Sequence, residues 1–384
     1  MGYYYDIKDD LKQYPDCWCY CIVGGRNTGK TYSSLKDAKE NKKGFIFIKR
    51  TNLDVNNLCA GGHVHSQKLD MDFDFDLSPF ADLNDDMGWN VKANKIFDGL
   101  GGFWDYNSDN ELIAAAPIGY IFSLNRVAKF KGFGGLRNCE EMIFDEFIAS
   151  PWERISREEG NQVLELYKTV SRDREHRGKK PLKLICLANA NDVSNPLFNT
   201  LQITDDVAKM AEEGQEYLCI RGILVHLIKD SPEFYEKESK TKIYEAMHET
   251  VWGRMAFDNE FSRNDFTYIK KKQNLKRAVP VCSIRFDNEF WYIWKRDETY
   301  LINTSKHNSP YFYDLTREGD RRKFYYEEAC YIVDAVADGC AEFKTYRMYD
   351  VIYHFRDNFK LWHNNIIMLL CYYKLIERWY HDES

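Results

Sequence analysis

Residues Tyr20–Ser34 read YCIVGGRNTGKTYSS. Four residues suited to a buried strand run into a loop with three glycines. A lysine and hydroxyl residues then open a helix-like segment, KTYSSLKDAKEN. Gly24–Thr31 satisfies G-x-x-x-x-G-K-[ST] in the context that gives the pattern meaning, a strand before it and a helix after it. A chain of this length matches by accident on the order of one time in a hundred. Backbone N–H groups of Gly24, Gly25, Arg26, Asn27, Thr28 and Gly29, with the helix N-terminus, would wrap a β-phosphate. Lys30 would neutralise β- and γ-oxygens, and the Thr31 hydroxyl would ligate Mg²⁺.

Outward from the loop, CWCYCIV, GFIFIKR, GYIFSL, EMIFDEF and KLICLAN alternate with helical segments or long connections. Continuous apolar runs of this kind predict a parallel sheet covered on both faces. Cys59–Phe103, rich in Asp, Asn and Gly, reads as a surface insertion with short strands such as WNVKANKIFDG. Ser231–Arg277 turns charged and helical, then basic. VPVCSIRF, FWYIWKR and YLINTS follow as an antiparallel aromatic meander, and two helical segments close the chain, YYEEACYIVDAVAD and about Asp350–Trp379. The division expected is a P-loop domain over 1–230, a helical linker over 231–277 and a small α+β domain over 278–384. At 384 residues the chain has room for two cores.

The net charge is −7, yet positive residues cluster at Arg172–Lys180, Lys270–Arg277 and Arg317–Lys323. That balance argues against a histone-like coat of charge and leaves room for a nucleic-acid track. The eleven cysteines contain no CxxC pair, and Cys17, Cys19 and Cys21 alternate as on one strand face, so they read as small core residues in a reducing compartment. Without a long apolar run or a signal-like start, a soluble intracellular protein with no membrane partner is expected.

The run Glu141–Glu146 is an apolar strand ending in two carboxylates, and in a parallel sheet such an end lies beside the phosphates. Asp145 would hold the water shell of Mg²⁺, and Glu146 would polarise the attacking water as general base. Asn189 ends another strand, where an amide holds lytic water or senses a γ-phosphate, or merely caps a turn. In Thr169–Arg174, TVSRDR, an arginine could reach a neighbouring subunit's γ-phosphate, or serve as a surface ion-pair partner. Gln13 and Tyr14, just before the first strand, are candidates to contact a base, with a core role for the tyrosine equally open.

Taken together, VGGRNTGKTY, FIFIKR (Phe45–Arg50), NCEEMIFDEFI (Asn138–Ile148), SRDRE (Ser171–Glu175) and KLICLANANDVSNPLF (Lys183–Phe198) resemble the DNA-encapsidation ATPases of phi-29-like small tailed bacteriophages, relatives of the large terminases. The resemblance is dense over the first 200 residues and thin afterwards. It implies a RecA-like ASCE P-loop ATPase domain with a parallel sheet, plus a smaller ribonuclease-H-like α+β domain. The implied activity is ATP hydrolysis with Mg²⁺, coupled to translocation of double-stranded DNA into a preformed capsid. The implied assembly is a homo-oligomeric ring, a pentamer, at the capsid portal, where some relatives dock on a scaffold RNA. Its place would be the host cytoplasm and, transiently, the procapsid portal vertex, not the mature virion.

Matched to the family pattern, Lys30 and Thr31 serve the nucleotide loop, Asp145 and Glu146 the Mg²⁺ and water positions, Asn189 the sensor strand and Arg172 the trans-acting finger. Arg26 matches a loop arginine of packaging ATPases, and Lys49 or Arg50 a basic residue after the second strand. Spacing leaves Lys129 and Lys131 both open as the lysine upstream of the acidic strand. A ribonuclease-H-type nuclease needs convergent carboxylates for two metal ions, one of them inside its first strand. Here Ser283–Phe286 holds Arg285 and no acid, with Asp287, Glu289 and Asp314 outside that run, so no nuclease activity is expected. A helicase-like nucleic-acid-remodelling ATPase is the alternative reading. A nucleotide-dependent switch without turnover ranks below it, because Glu146 is present.

Overall fold

The computed structural model describes residues 4–60, 62–66, 71–75, 77–130, 136, 138–150, 153, 155, 156, 158–190, 193, 195–229, 236, 237, 239–250, 268–270, 272–286, 288–309, 311–349, 351 and 352. The chain divides into two units, Met1–Asn264 and Asp265–Ser384. In the first, α1 (Ile7–Gln13) starts at Asp6, whose carboxylate accepts from the Lys8 N–H as an N-cap. Next come β1 (Cys19–Gly24), α2 (Lys30–Glu40), β2 (Gly44–Lys49) and α3 (Asn52–Cys59), the last opened by a Thr51/Asp54 capping box. An antiparallel ribbon of β3 (Gly62–Ser66) and β4 (Met71–Phe75) precedes α4 (Ala81–Met87), β5 (Val91–Phe97), β6 (Leu100–Asp105) and β7 (Gly119–Ser123). Then follow β8 (Cys139–Asp145), α5 (Glu159–Ser171), β9 (Lys183–Asn189), α6 (Pro196–Leu201), α7 (Thr204–Glu212), β10 (Tyr217–Ile220), β11 (Ile223–Leu227) and α8 (Lys242–Met247).

One nine-stranded sheet organises the unit, in the order β10-β11-β1-β9-β8-β2-β7-β6-β5. The six strands from β11 to β7 are mutually parallel, and β10 at one edge and β6 and β5 at the other run antiparallel to their neighbours. Every residue of β1 is buried, as are Phe45–Ile48, Met142–Phe144 and Leu184–Ala188. These are the continuous apolar runs that the sequence displays, and both faces of a parallel sheet need them. Cys19, Cys21 and Cys186 lie buried side by side on β1 and β9 with their sulfurs within 4.8 Å of one another. They are free thiols and fill the sheet interior as small apolar groups.

The expected surface insertion over Cys59–Phe103 is corrected in its second half. β5 and β6 lengthen the main sheet, and Phe80, Leu83, Val91, Ala93 and Phe103 are buried in its core. Phe103 lies edge-on to Phe80 with ring centroids 5.0 Å apart and stacks on Phe45 at 5.9 Å. Gly119 on β7 makes room for the Phe45 ring, which a Cβ there would overlap. The apolar residues of this segment are thinly spaced along the chain, so no period shows, but antiparallel pairing brings them to one face.

The second unit opens with β12 (Val279–Phe286), β13 (Glu289–Arg296) and β14 (Thr299–Asn303), the antiparallel meander expected. β15 (Phe312–Asp314) pairs parallel to β12. α9 (Glu318–Phe324) continues through a π turn into α10 (Cys330–Ala337), and β16 (Ala341–Phe343) pairs parallel to β14. Cys282, Ile284, Trp291, Ile293 and Ile302 from the sheet meet Phe324, Ala329, Ile332 and Val336 from the helices. Most of the expected linker helix and closing helix, including 251–267 and 353–384, lies outside the described residues, as does Lys131.

Replacing Phe103 with Ala is expected to cost about 3–5 kcal/mol. Urea unfolding of the full chain reads this, whereas a phenylalanine on a true surface insertion would change stability by less than about 0.5 kcal/mol.

Candidate functional site

Because β1, β9, β8, β2 and β7 run parallel, their carboxyl ends share one edge of the sheet. Gly24 is level with Asn189, and Asp145 with Leu187. The loop between β1 and α2 bends through two left-handed residues, Asn27 (φ 60°) and Gly29 (φ 89°), conformations easiest for Asn and Gly. Gly29 is the N-cap of the eleven-residue α2 and offers no side-chain cap. The amino end of that helix carries partial positive charge beside the loop, which favours an anion there. Thr28 is buried and its hydroxyl donates to the Gly25 carbonyl at 3.1 Å. Arg26 and Asn27 are exposed.

Lys30 is 8% exposed and folds back over the loop. Its Nζ donates to the Gly25 carbonyl at 2.5 Å, Thr28 Oγ1 at 3.1 Å, the Gly24 carbonyl at 3.2 Å and Asn189 Oδ1 at 3.4 Å. Thr31 Oγ1 donates to Asp145 Oδ1 at 3.0 Å, and Lys49 Nζ donates to Asp145 Oδ2 at 3.1 Å. A hydroxyl and a carboxylate oxygen thus meet beside the cradle. Such hard oxygen donors fit Mg²⁺, which takes few protein ligands and keeps most of its water.

Glu146 follows directly, exposed, with its backbone in the left-handed region at φ 58°. A non-glycine residue held there costs on the order of 1–3 kcal/mol, so its surroundings must impose it. Arg50 supplies the restraint: Nη2 donates to the carbonyls of Glu146 at 2.7 Å and Phe147 at 3.1 Å. Its Nε donates to Glu159 Oε2 at 2.7 Å, and Nη1 to Glu153 Oε1 at 3.1 Å. Phe147 is locked in turn by its N–H to the Leu187 carbonyl and by its ring edge on Phe198. Burial pushes the Glu159 carboxyl upward, and Arg50 opposes that shift. Lys49 and Arg50 therefore divide the work, since consecutive residues leaving a strand point to opposite sides. One meets Asp145, and the other clamps the turn that carries Glu146. The Glu159 contribution escaped sequence reading because 109 residues separate it from Arg50.

Arg172 is placed elsewhere. α5 begins at Glu159 beside Arg50 and runs back about 20 Å to the amino-end edge of the sheet, where Arg174 donates to the carbonyl of Cys139 at the start of β8. Arg172, at φ 41°, closes the helix and bonds the Thr169 carbonyl through Nε. A strand length of about 20 Å separates that edge from the loop of the same chain. Lys129 is exposed at the end of a 3-10 turn, Leu124–Phe130, that follows β7 on the loop's edge of the sheet. The base-contact candidates Gln13 and Tyr14 are corrected. α1 meets the loop with its other end, through the Tyr5 N–H to the Thr28 carbonyl at 3.0 Å. Tyr14 instead packs on Tyr217, and its carbonyl accepts from the Tyr20 hydroxyl.

The Arg50 side chain is 9% exposed and that of Glu159 3%. Arg50→Ala should therefore cost about 3–5 kcal/mol in urea unfolding by stranding a buried carboxylate. Adding Glu159→Gln to Arg50→Ala should recover part of the loss.

Comparison with known proteins bears on what such a site serves. The chain is 30% identical over 173 residues to a DNA packaging protein of Bacillus phage B103, covering 44% of this chain and 49% of the relative. It is 30% identical over 158 residues to that of Bacillus phage phi29, covering 41% and 43%. The matched regions thus span about half the length of these relatives or less. Its fold is similar to a chain of the bacteriophage Phi-29 viral genome packaging motor assembly, with a TM-score of 0.59, 19% identity and coverage of 92% of this chain and 98% of that one. The Phi-28 gp11 DNA packaging motor is matched at a TM-score of 0.58 and 15% identity, over 91% and 96%. A family model described as Podovirus DNA encapsidation protein (Gp16) matches residues 122–356. With more than half of its 384 residues under that match, the chain belongs to the Podovirus DNA encapsidation protein family.

Proposed function

We propose that this protein is the ATPase of a viral DNA-packaging motor, coupling ATP hydrolysis to the movement of double-stranded DNA into a preformed capsid. The observation that carries the reading is the meeting of Lys30, Thr31, Asp145 and Asn189 at one edge of a parallel sheet, with Glu146 on the adjoining restrained turn. Family membership supports the same conclusion. The strand order β11-β1-β9-β8-β2, with β9 between the loop strand and the acidic strand, supports a RecA-like ASCE domain.

In this mechanism the loop N–H groups and the amino end of α2 bind the β-phosphate. Lys30 Nζ exchanges its loop carbonyls for β- and γ-oxygens, and Asn189, already within reach of Lys30, meets the γ-phosphate. Thr31 and Asp145 are the residues that would hold Mg²⁺, which when bound neutralises charge on the phosphate oxygens. Lys49 holds the Asp145 carboxylate in place through its hydrogen bond to Oδ2. Glu146 accepts the proton of the attacking water, its backbone steadied by Arg50. The position of Arg172 on the far edge of the sheet favours action on a neighbour's nucleotide, and hence a ring, a pentamer by resemblance. Arg26, exposed on the loop, is assigned to coupling nucleotide state to a neighbouring acidic group or subunit. The portal of the procapsid, with or without a scaffold RNA, is the docking site, and Lys270–Arg277 belongs to the DNA-contacting surface. Among the described residues no helix is long and apolar enough to cross a membrane.

The second unit is read as ribonuclease-H-like and without nuclease activity. Arg285 on β12 stands beside Asp314 on β15, with Nη1 3.6 Å from Oδ2. Hydrogen bonds from Thr316, then the charges of Arg285 and Arg317, hold the Asp314 carboxyl below its usual range. Glu289 accepts from Trp291 and Arg347. These acids are committed to cations and donors where a two-metal nuclease needs them converging on one point. Asp287 lies outside the described residues. Half-exposed Phe290 and Phe312, with rings 6.2 Å apart, are the feature that favours the helicase-like alternative, because aromatic rings can stack single-stranded bases. Strand displacement by the purified protein would decide for that alternative.

Three outcomes are expected. Lys30→Ala abolishes packaging of DNA into purified proheads. Glu146→Gln keeps nucleotide binding and lowers steady-state phosphate release by about 10²–10⁴-fold. Mixing Glu146→Gln with Arg172→Ala subunits restores some hydrolysis at mixed interfaces, and no recovery at any ratio would sink the trans-acting role of Arg172.

A further inference from the structure

We propose that Tyr4 is the residue on which the nucleotide base stacks, an assignment that rests on the nucleotide-site reading above and extends it to the base. The N-terminal segment lies directly against the loop: the Tyr5 N–H meets the Thr28 carbonyl at 3.0 Å, and the Ile7 N–H meets Ser33 Oγ at 3.3 Å. A methyl group on Gly29 would stand 3.4 Å from Tyr4 Cβ and 3.7 Å from Tyr4 Cδ1. Tyr4 is 57% exposed, so an aromatic side chain with open surface borders the cradle.

The side on which it lies is the informative point. Asp145 and Asn189, which take the γ-phosphate end, belong to β8 and β9 on one flank of β1. α1 lies toward the other flank, where its Asp10 Oδ2 is 2.8 Å from Nδ1 of His226 on β11. A nucleotide whose terminal phosphate points to Asp145 therefore carries its base away from β8, toward the start of α1. That start is rigidly founded. The Tyr5 hydroxyl donates to Asp10 at 2.8 Å, Asp10 and His226 are buried, and the Tyr217 ring stacks on His226 at 4.3 Å. A stacking side chain works best on such a fixed base, because less freedom is lost when the ligand arrives.

Calorimetric binding of ADP and of inorganic tripolyphosphate to the full chain, both with Mg²⁺, tests the assignment. Tyr4→Ala is expected to weaken ADP about tenfold, the usual scale for one base on one ring. It should leave tripolyphosphate within about twofold, and Tyr4→Trp should retain ADP affinity. Equal weakening of both ligands would mean that Tyr4 merely shapes the loop, and no change in either would mean that the base lies elsewhere. Both results overturn the assignment. Lys30→Ala run in parallel should lose both ligands. If it binds both as well as the parent chain, the nucleotide-site reading itself falls, and the assignment of Tyr4 falls with it.

Discussion

The Asp145 carboxylate receives Thr31 on one oxygen and Lys49 on the other, and that three-way contact constrains the whole first unit. The three residues come from the start of α2, the end of β8 and the end of β2. They can meet only if β1, β2 and β8 run parallel, so that their carboxyl ends share an edge, and only if the register brings those ends level. The apolar runs of these strands exist to satisfy that geometry. A sheet with helices on both faces must be buried through its centre, and alternation of polar and apolar residues is not available to it.

A second constraint comes from charge. Glu146 follows a strand buried over Glu141–Phe144, in a backbone conformation that an ordinary residue resists, while its side chain is exposed. Arg50 reconciles these demands by giving its donors to two carbonyls of the turn and its charge to the buried Glu159. The cost of desolvating the Glu159–Arg50 pair is met only because several hydrogen bonds accompany it. A restraint of this kind fixes the turn that carries Glu146 and leaves its side chain exposed. It also joins that turn to the helix that ends at Arg172.

In the second unit, carboxylates are paired with arginines in a similar way. Arg285 faces Asp314, and Glu289 is held by Arg347.

The loop, its lysine, the acidic strand and the asparagine strand were legible in sequence because each is local: a strand run followed at once by its chemical residue. The meander Val279–Asn303 was legible for the same reason. The sheet membership of Val91–Asp105 was hidden, since Phe80, Val91, Ala93 and Phe103 are spaced too irregularly to show a period and become one face only by pairing. Of the two roles open to Tyr14 in sequence, packing is the one found, because nearness to a strand in sequence does not say which end of the strand is near. α1 runs against β1, so the residues ten positions earlier are the ones that reach the loop. Local chemistry and apolar runs were thus determined by the sequence alone. Which side chains meet across more than a hundred residues, Arg50 with Glu159 or Thr31 with Asp145, was decided by tertiary structure, because strand order and register carry no local mark.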